Sequence, residues 1–158
     1  MPKIPRRRRA ERKTDYKARF SMLKSGKPRL VVRRTNRYII AQIVCSDIAQ
    51  DKVIARVTSN DLLSKGWPKE KSGSLKSLPA AYLTGFLLVK SLKVKVGEAI
   101  LDLGLQRSIS GSRLFAVLKG ALDAGLNVPH NPEALPEMER IEKNEKLKTI
   151  FEKVRRSL

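Results

Sequence analysis

RLVVRRTNRYIIAQIV, residues 29–44, is the most informative run in this chain. Two apolar, β-branched segments, Leu30–Val32 and Tyr38–Val44, flank the polar and basic Arg33-Arg34-Thr35-Asn36-Arg37. Val, Ile and Tyr suit a pleated, half-buried surface, and Asn tolerates the positive φ that tight connections often need. The run therefore predicts a β-hairpin. Successive side chains of a strand point to opposite faces, so one face can join a core. The other face, with the turn, then presents Arg29, Arg33, Arg34, Arg37 and Tyr38. Guanidinium groups held by a rigid sheet suit phosphate recognition, because each offers a planar fork of donors. The same pattern also describes a soluble hairpin with a charged edge that blocks aggregation.

Charge separates these alternatives. The chain has 158 residues, a net charge of +19 and 41% apolar residues, enough for one domain with a real core and tails. Residues 1–37 hold 15 Lys or Arg against only Glu11 and Asp15, a net +13. Such a block repels itself and calls for a polyanion, either nucleic acid or an anionic membrane surface. No apolar run approaches the roughly 20 residues of a membrane-spanning helix, and the N-terminus lacks the apolar stretch of a secretory signal. The lone Cys45, inside an apolar strand, reads as a small buried hydrophobe in a reducing compartment. An intracellular, soluble protein is expected.

Residues 1–13, MPKIPRRRRAERK, combine two prolines with seven basic side chains and read as a free arm that orders on a partner. Tyr16, Phe20 and Leu23, with Ala18 and Met22, recur at helical spacing; Thr14 can cap this helix and Gly26-Lys27-Pro28 ends it. Asp47–Asp51 is turn-like, and Lys52–Thr58 is a third strand, antiparallel to Tyr38–Val44. The Ser-, Gly- and Lys-rich residues 60–78 read as a long loop, with a possible short helix near Asp61–Lys65. From Pro79, AAYLTGFLLVKSL is apolar almost all round and predicts a buried helix, with Gly85 permitting close backbone approach. Ala99–Leu103 reads as a strand buried on both faces, at the centre of a sheet.

After the loop GLQRSISG (104–111), Ser112 caps a helix over Arg113–Ala124 that closes on Gly125-Leu126. Residues 133–158 read as helical, with Leu147, Ile150, Phe151, Val154 and Leu158 on one face and the pairs Glu139–Lys143 and Glu142–Lys146 in support. The expected fold class is α/β. It has a mixed β-sheet whose N-terminal three-stranded antiparallel part packs against helices, a basic N-terminal arm, and a peripheral C-terminal helix. The divisions are a basic arm (1–13), an α/β domain (14–131) and a helical tail (132–158).

Catalysis has little support. One His and one Cys, far apart in sequence, give neither metal-ligand spacing nor an obvious thiol–imidazole pair, and His130 in its Pro-flanked turn suits satisfying a nearby helix end. The 104–111 loop lacks the Gly-Lys-Ser/Thr ending of a P-loop. A metal-dependent nuclease needs clustered carboxylates, whereas only Asp102 and Asp123 lie in the later core. By contrast a basic arm, helix and hairpin follow one another, and a second basic loop carries Arg107 and Arg113. Ser110-Gly111-Ser112 there offers backbone N–H groups at a helix start. Aromatic residues are scarce at 5%, which disfavours single-strand stacking platforms. Recognition of a folded RNA by shape and backbone fits better; DNA binding stays open as an alternative, with no helix-turn-helix, zinc or zipper pattern to support it.

Several motifs in one order resemble a known family. These are Lys24-Ser25-Gly26-Lys27-Pro28-Arg29-Leu30, the 29–44 hairpin, Pro79-Ala80-Ala81-Tyr82-Leu83-Thr84-Gly85, and Leu103-Gly104-Leu105 through Gly125-Leu126 with Pro129-His130-Asn131. Together they are similar to the universal 5S-rRNA-binding protein family of the large ribosomal subunit (protein eighteen in the universal numbering, five in eukaryotic naming). The similarity spans roughly residues 6–131. Chain length and the lack of a long acidic C-terminal extension favour an archaeal source. The resemblance implies a cytoplasmic ribosomal component of the central protuberance that helps attach 5S rRNA to the 23S-type rRNA of the large subunit beside neighbouring large-subunit proteins. It implies no catalytic residue, cofactor, metal or membrane, and no homo-oligomer. Carried onto this sequence, it places RNA contacts at Arg6, Arg7, Arg8, Arg9, Arg12, Lys13, Lys24, Lys27 and Arg29, then at Arg33, Arg34, Asn36, Arg37 and Tyr38, and at Arg107, Gly111 and Arg113. A structured-RNA binder outside the ribosome, a peripheral binder of anionic membranes and a nuclease of related architecture are the alternatives.

Overall fold

In the computed structural model, which describes residues 4–48, 50–94 and 96–158, the hairpin forms as expected. Strand β1 (Arg29–Arg34) pairs antiparallel with β2 (Ile39–Asp47), and β2 pairs antiparallel with β3 (Gln50–Thr58). Strand β4 (Ile100–Asp102) joins the free side of β1 in parallel, giving the order β3-β2-β1-β4. Thr35, rather than Asn36, shapes the hairpin turn. Its N–H donates to the Tyr38 carbonyl at 2.9 Å, and its Oγ1 accepts from the Tyr38 N–H at 3.0 Å. Asn36 is not among the residues with positive φ.

Alternation sets the two faces of the sheet. Leu30, Val32, Ile39, Ala41 and Ile43 are fully buried against helices α3 (Leu78–Lys90) and α4 (Arg113–Asp123). Arg29, Val31 and Arg33 belong to the opposite face, and Asp102 stands in register beside Val31, between the two arginines. Helix α3 is apolar all round, as its sequence requires, and nine of its residues are buried. Two glycines bring it against α4. A Cβ on Gly85 would lie 2.0 Å from the Val117 carbonyl oxygen, and one on Gly120 would lie 2.0 Å from that of Tyr82. Helix α4 ends as expected: Gly125 takes φ +101° and the Leu126 N–H closes onto the Ala121 carbonyl at 3.0 Å.

Several local expectations change. Ala99–Leu103 does not form a central strand; β4 has three residues at the sheet edge, where Ala99 N–H bonds to the Asn127 carbonyl and Glu98 bridges Asn127. Helix α2 (Tyr16–Lys24) is capped by Asp15, which accepts from the Lys17 and Ala18 N–H groups, while Thr14 instead accepts from Arg8. None of its residues is buried and Phe20 is 69% exposed, so its apolar spacing does not mark a core helix. The arm, whose residues 1–3 lie outside the described set, carries one exposed helical turn, α1 (Arg7–Ala10). Cys45 is half-buried and outside the core.

The last segment is two helices, α5 (Met138–Glu142) and α6 (Glu145–Ser157), broken at Lys143-Asn144. The break removes the spacing on which Glu142–Lys146 depended, and Glu142 pairs with Lys148 at 3.3 Å. Although α6 lies at the end of the chain, its apolar stripe enters the common core. Leu147, Phe151 and Val154 are buried, and the Phe151 ring meets Tyr82 of α3 edge-on at 5.4 Å. Between β3 and α3 the short helix expected near Asp61–Lys65 forms as a 3-10 helix, Ser59–Lys65, and the expected loop after it holds a second, Lys69–Ser74. Buried Trp67 fixes their junction and donates through Nε1 to the Lys71 carbonyl.

Candidate nucleic-acid interface

The hairpin arginines divide into two groups. Arg29 is 2% exposed and turned inward: Nη1 donates to Asp102 Oδ2 at 2.8 Å, and Nη2 donates to Asp51 Oδ1 at 2.8 Å and Ser46 Oγ at 3.1 Å. Arg33, half-buried, donates from Nη2 to Asp102 Oδ1 at 2.8 Å and from Nη1 to the Asp102 carbonyl. Arg19 of α2 completes the lattice through Asp51 at 2.7 Å. Two acids thus hold three arginines, which is how a buried guanidinium is tolerated. Arg29 is accordingly a structural tie and not a surface contact. Local periodicity placed it on the exposed face because its partner Asp102 lies 73 residues away.

The carboxyls respond to this lattice. Burial raises the Asp102 pKa, but the Arg33 hydrogen bond and charge, the Gly104 N–H and the Arg29 charge outweigh burial and hold it below the ordinary carboxylate value. At Asp51 burial also raises the pKa; hydrogen bonds from Ser46 and Arg19 and the charge of Arg29 bring it down to about 2. Asp102 further orients the next loop. Its Oδ1 accepts the Gly104 N–H at 2.9 Å, and Gly104, at φ +61°, leaves room for the Arg33 guanidinium.

That loop is locked to the hairpin. Gln106 accepts the Arg34 N–H at 3.2 Å and donates to the Arg34 carbonyl at 3.1 Å, so the chain after β4 runs beside the hairpin turn. The side chains of Arg34, Arg107 and Arg113 consequently line one open cleft with Leu105 and Ile109. Leu105 also lines a small cavity of about 150 Å³ beneath the arm, shared with Arg8, Lys13 and Arg33. Arm, hairpin and 104–113 loop therefore meet in one cationic band, continued by exposed Asn36 and Arg37 and half-buried Tyr38 at the turn.

Other expected contacts are distributed around it. Arg6, Arg7, Arg8, Arg9 and Arg12 are exposed; Arg6 stacks on Tyr16, and Lys13 pairs with Glu11. Lys24 is exposed at the end of α2, whereas Lys27 is paired with Glu98. Gly111 is buried, its N–H already donated to the Ala134 carbonyl and its Cα against the Arg140 guanidinium, so it is packing and not a phosphate contact. His130 is exposed and its Nδ1 meets the Val128 carbonyl at 2.7 Å; it stands just before the 3-10 turn Pro132–Ala134, which Asn131 caps in its place by accepting the Glu133 N–H. Two members were missed. Gln106 and Lys76, whose Nζ donates to the Asn36 carbonyl at 3.3 Å, come from segments 72 and 40 residues from their partners, and no local pattern announces them.

Among the described residues no group of His, Cys, Asp or Glu is placed to hold a metal, and no helix is long and apolar enough to cross a membrane. A broad cationic band lies on a mixed α/β scaffold whose buried acid, Asp102, is held by two arginines, and such a surface suits a structural binder of polyanions. The family follows from comparison. This chain belongs to the family described as "Ribosomal large subunit proteins 60S L5, and 50S L18", whose model matches residues 3–99 and 93–131. It is 52% identical over 153 residues to large ribosomal subunit protein uL18 of Korarchaeum cryptofilum, covering 96% of this chain and 76% of that protein. To the uL18 of Methanoculleus marisnigri it is 51% identical over 139 residues, 87% of this chain and 77% of the relative. The uL18 of Methanothermobacter thermautotrophicus is 48% identical over 140 residues, with 88% and 71% covered. These relatives are ribosomal proteins, not enzymes.

Proposed function

We propose that this protein binds 5S rRNA and helps attach it to the 23S-type rRNA in the central protuberance of the large subunit, as a structural part of the cytoplasmic ribosome. Family membership supports the ribosomal role. The observation that carries the RNA assignment is the band itself: Arg34, Arg37, Arg107 and Arg113 project from a hairpin and a loop that Gln106 and Asp102 hold rigid. Fixed charge spacing selects an RNA surface by its backbone shape, whereas the arm of residues 6–13 adds affinity with little selectivity. Lys24, Asn36 and Tyr38 extend the contact; Arg33 and Lys27 share their charge with internal acids and contribute less. Residues 132–158 complete the core through α6 and offer their charged face to neighbouring large-subunit proteins.

A gel-shift titration of 5S rRNA with transfer RNA as competitor tests this reading. Replacing Arg34, Arg37 and Arg107 together by Gln leaves the core untouched. It should lower the slope of log affinity against log salt by about two units, at roughly 0.7–0.9 per lost phosphate contact, and abolish the preference for 5S rRNA. Equal binding of both RNAs by the unaltered protein would sink the 5S assignment.

A further inference from the structure

A cleft of about 490 Å³ opens between the hairpin turn and the two 3-10 helices. Arg37 and Tyr38 form one wall, Asn60, Ser72 and Lys76 the other, and buried Leu75 also lines it. Lys76 bonds across to the Asn36 carbonyl at 3.3 Å, so the two walls are tied and the width is set. Its volume lies on the scale of small-ligand clefts, roughly 300–1,000 Å³, which suits one nucleotide and excludes a helix. Its chemistry is mixed in a particular way. Two cations stand beside one aromatic ring, and an amide and a hydroxyl offer both donors and acceptors. A duplex would use only the cations; a hydrophobic peptide would use neither cation. An unpaired nucleotide uses every group.

We infer that this cleft receives a single unstacked nucleotide of the bound RNA, with its base against Tyr38, its edge on Asn60 and Ser72, and its flanking phosphates on Arg37 and Lys76. Splayed bases stacked on an aromatic side chain are the usual sequence-dependent element in recognition of a folded RNA. Scarcity of aromatic residues rules out an extended stacking platform but not this, since one base needs one ring. The inference rests on the RNA-binding reading and gives it a base-sensitive element that a phosphate-gripping band lacks.

The test uses the full chain and five RNA hairpins with the same stem. One is fully paired, and four carry a one-nucleotide bulge of A, C, G or U. Three variants are compared: Tyr38→Ala, Tyr38→Phe and Gly73→Leu. The last enters the cleft from a glycine at which a Cβ meets nothing within 4 Å, so the fold is preserved while the space is filled. The unaltered protein and Tyr38→Phe should prefer at least one bulged hairpin to the paired one. Tyr38→Ala and Gly73→Leu should each lose roughly ten- to a hundredfold on that hairpin, the worth of one stacked base, and Gly73→Leu should leave the paired stem unchanged. Equal affinity of the unaltered protein for all five hairpins, with its preference for 5S rRNA over transfer RNA intact, overturns the cleft assignment and leaves the proposed function standing. A bulge preference that survives Gly73→Leu overturns it too. Loss of both preferences removes the proposed function with it.

Discussion

Adding one methyl group at Gly120 should be among the most damaging small changes this fold can suffer. On an isolated helix Gly→Ala is favourable by about 1 kcal/mol. Here the new Cβ would stand 2.0 Å from the Tyr82 carbonyl oxygen, 2.9 Å from its carbon and 3.1 Å from the Phe86 nitrogen. All three are backbone atoms of α3, so no side chain can swing aside. Restoring even the tightest ordinary contact requires α3 and α4 to separate by about 1 Å, and a gap of that size forfeits a quarter to a half of each dispersion contact along the shared seam. That places Gly120→Ala at the upper end of overpacking costs, about 3 kcal/mol or more after the helix-propensity gain. For a chain of this length the melting temperature should drop by roughly 6–12 °C. Thermal and urea unfolding followed by circular dichroism measure it, with Gly73→Ala as the control because nothing lies within 4 Å of that position. Gly85→Ala faces the reciprocal clash with Val117, and the same separation of the helices relieves both, so the double variant should fall well short of additivity. A Gly120→Ala protein melting within 2 °C or so of the parent would mean that α3 and α4 do not cross this closely.

Two further changes probe the arginine–aspartate lattice. Arg29→Gln removes a buried charge from between Asp102 and Asp51 and should cost about 3 kcal/mol in urea unfolding. In refolded protein it should leave the salt dependence of RNA binding unchanged; a lowered slope with normal stability would return Arg29 to the RNA-facing set. For Asp51 the sign follows from its depressed folded pKa: the unfolded carboxyl, near 3.9, takes up a proton first, so the stability it contributes is present above that value and lost as pH falls toward about 2. Unfolding midpoints measured from pH 5 to 2 should fall more steeply for the parent than for Asp51→Asn, and parallel curves would show that the carboxylate is not held by Arg19 and Arg29.

How much of this was legible follows from the range over which each signal acts. The hairpin, the all-round apolar helix at 78–90 and the glycine close at Gly125-Leu126 declare themselves within a few residues, through β-branched alternation, apolar continuity and a positive φ. The edge position of β4 does not. Its apolar neighbours are covered by helices and by Asn127, and a three-residue strand carries no period from which its place in a sheet could be read. The exposure of Phe20 was equally hidden, because helical spacing shows which residues share a face and not what that face meets. At the candidate interface the residue types were visible while their division was not. Arg29 and Arg33 share one face of the strand and look like surface cations in sequence, and only the return of Asp102 beside Val31 shows that both are tied inward.

That inward tie bears on how charge should be counted in such a chain. A net charge of +19 invites the view that every arginine of the hairpin faces RNA. Yet Asp102 alone takes Arg29 on one oxygen and Arg33 with the Gly104 N–H on the other, and Asp51 takes Arg29 and Arg19. Each acid joins elements distant in sequence: the start and end of β1, the loop after β4, and α2. The cations so used have less charge to offer phosphate, but they fix where the remaining ones stand. Affinity should therefore follow the exposed residues Arg34, Arg37, Arg107 and the arm. Selectivity should depend on Asp102 as well, since without it the Gly104 loop and the hairpin turn lose their common brace.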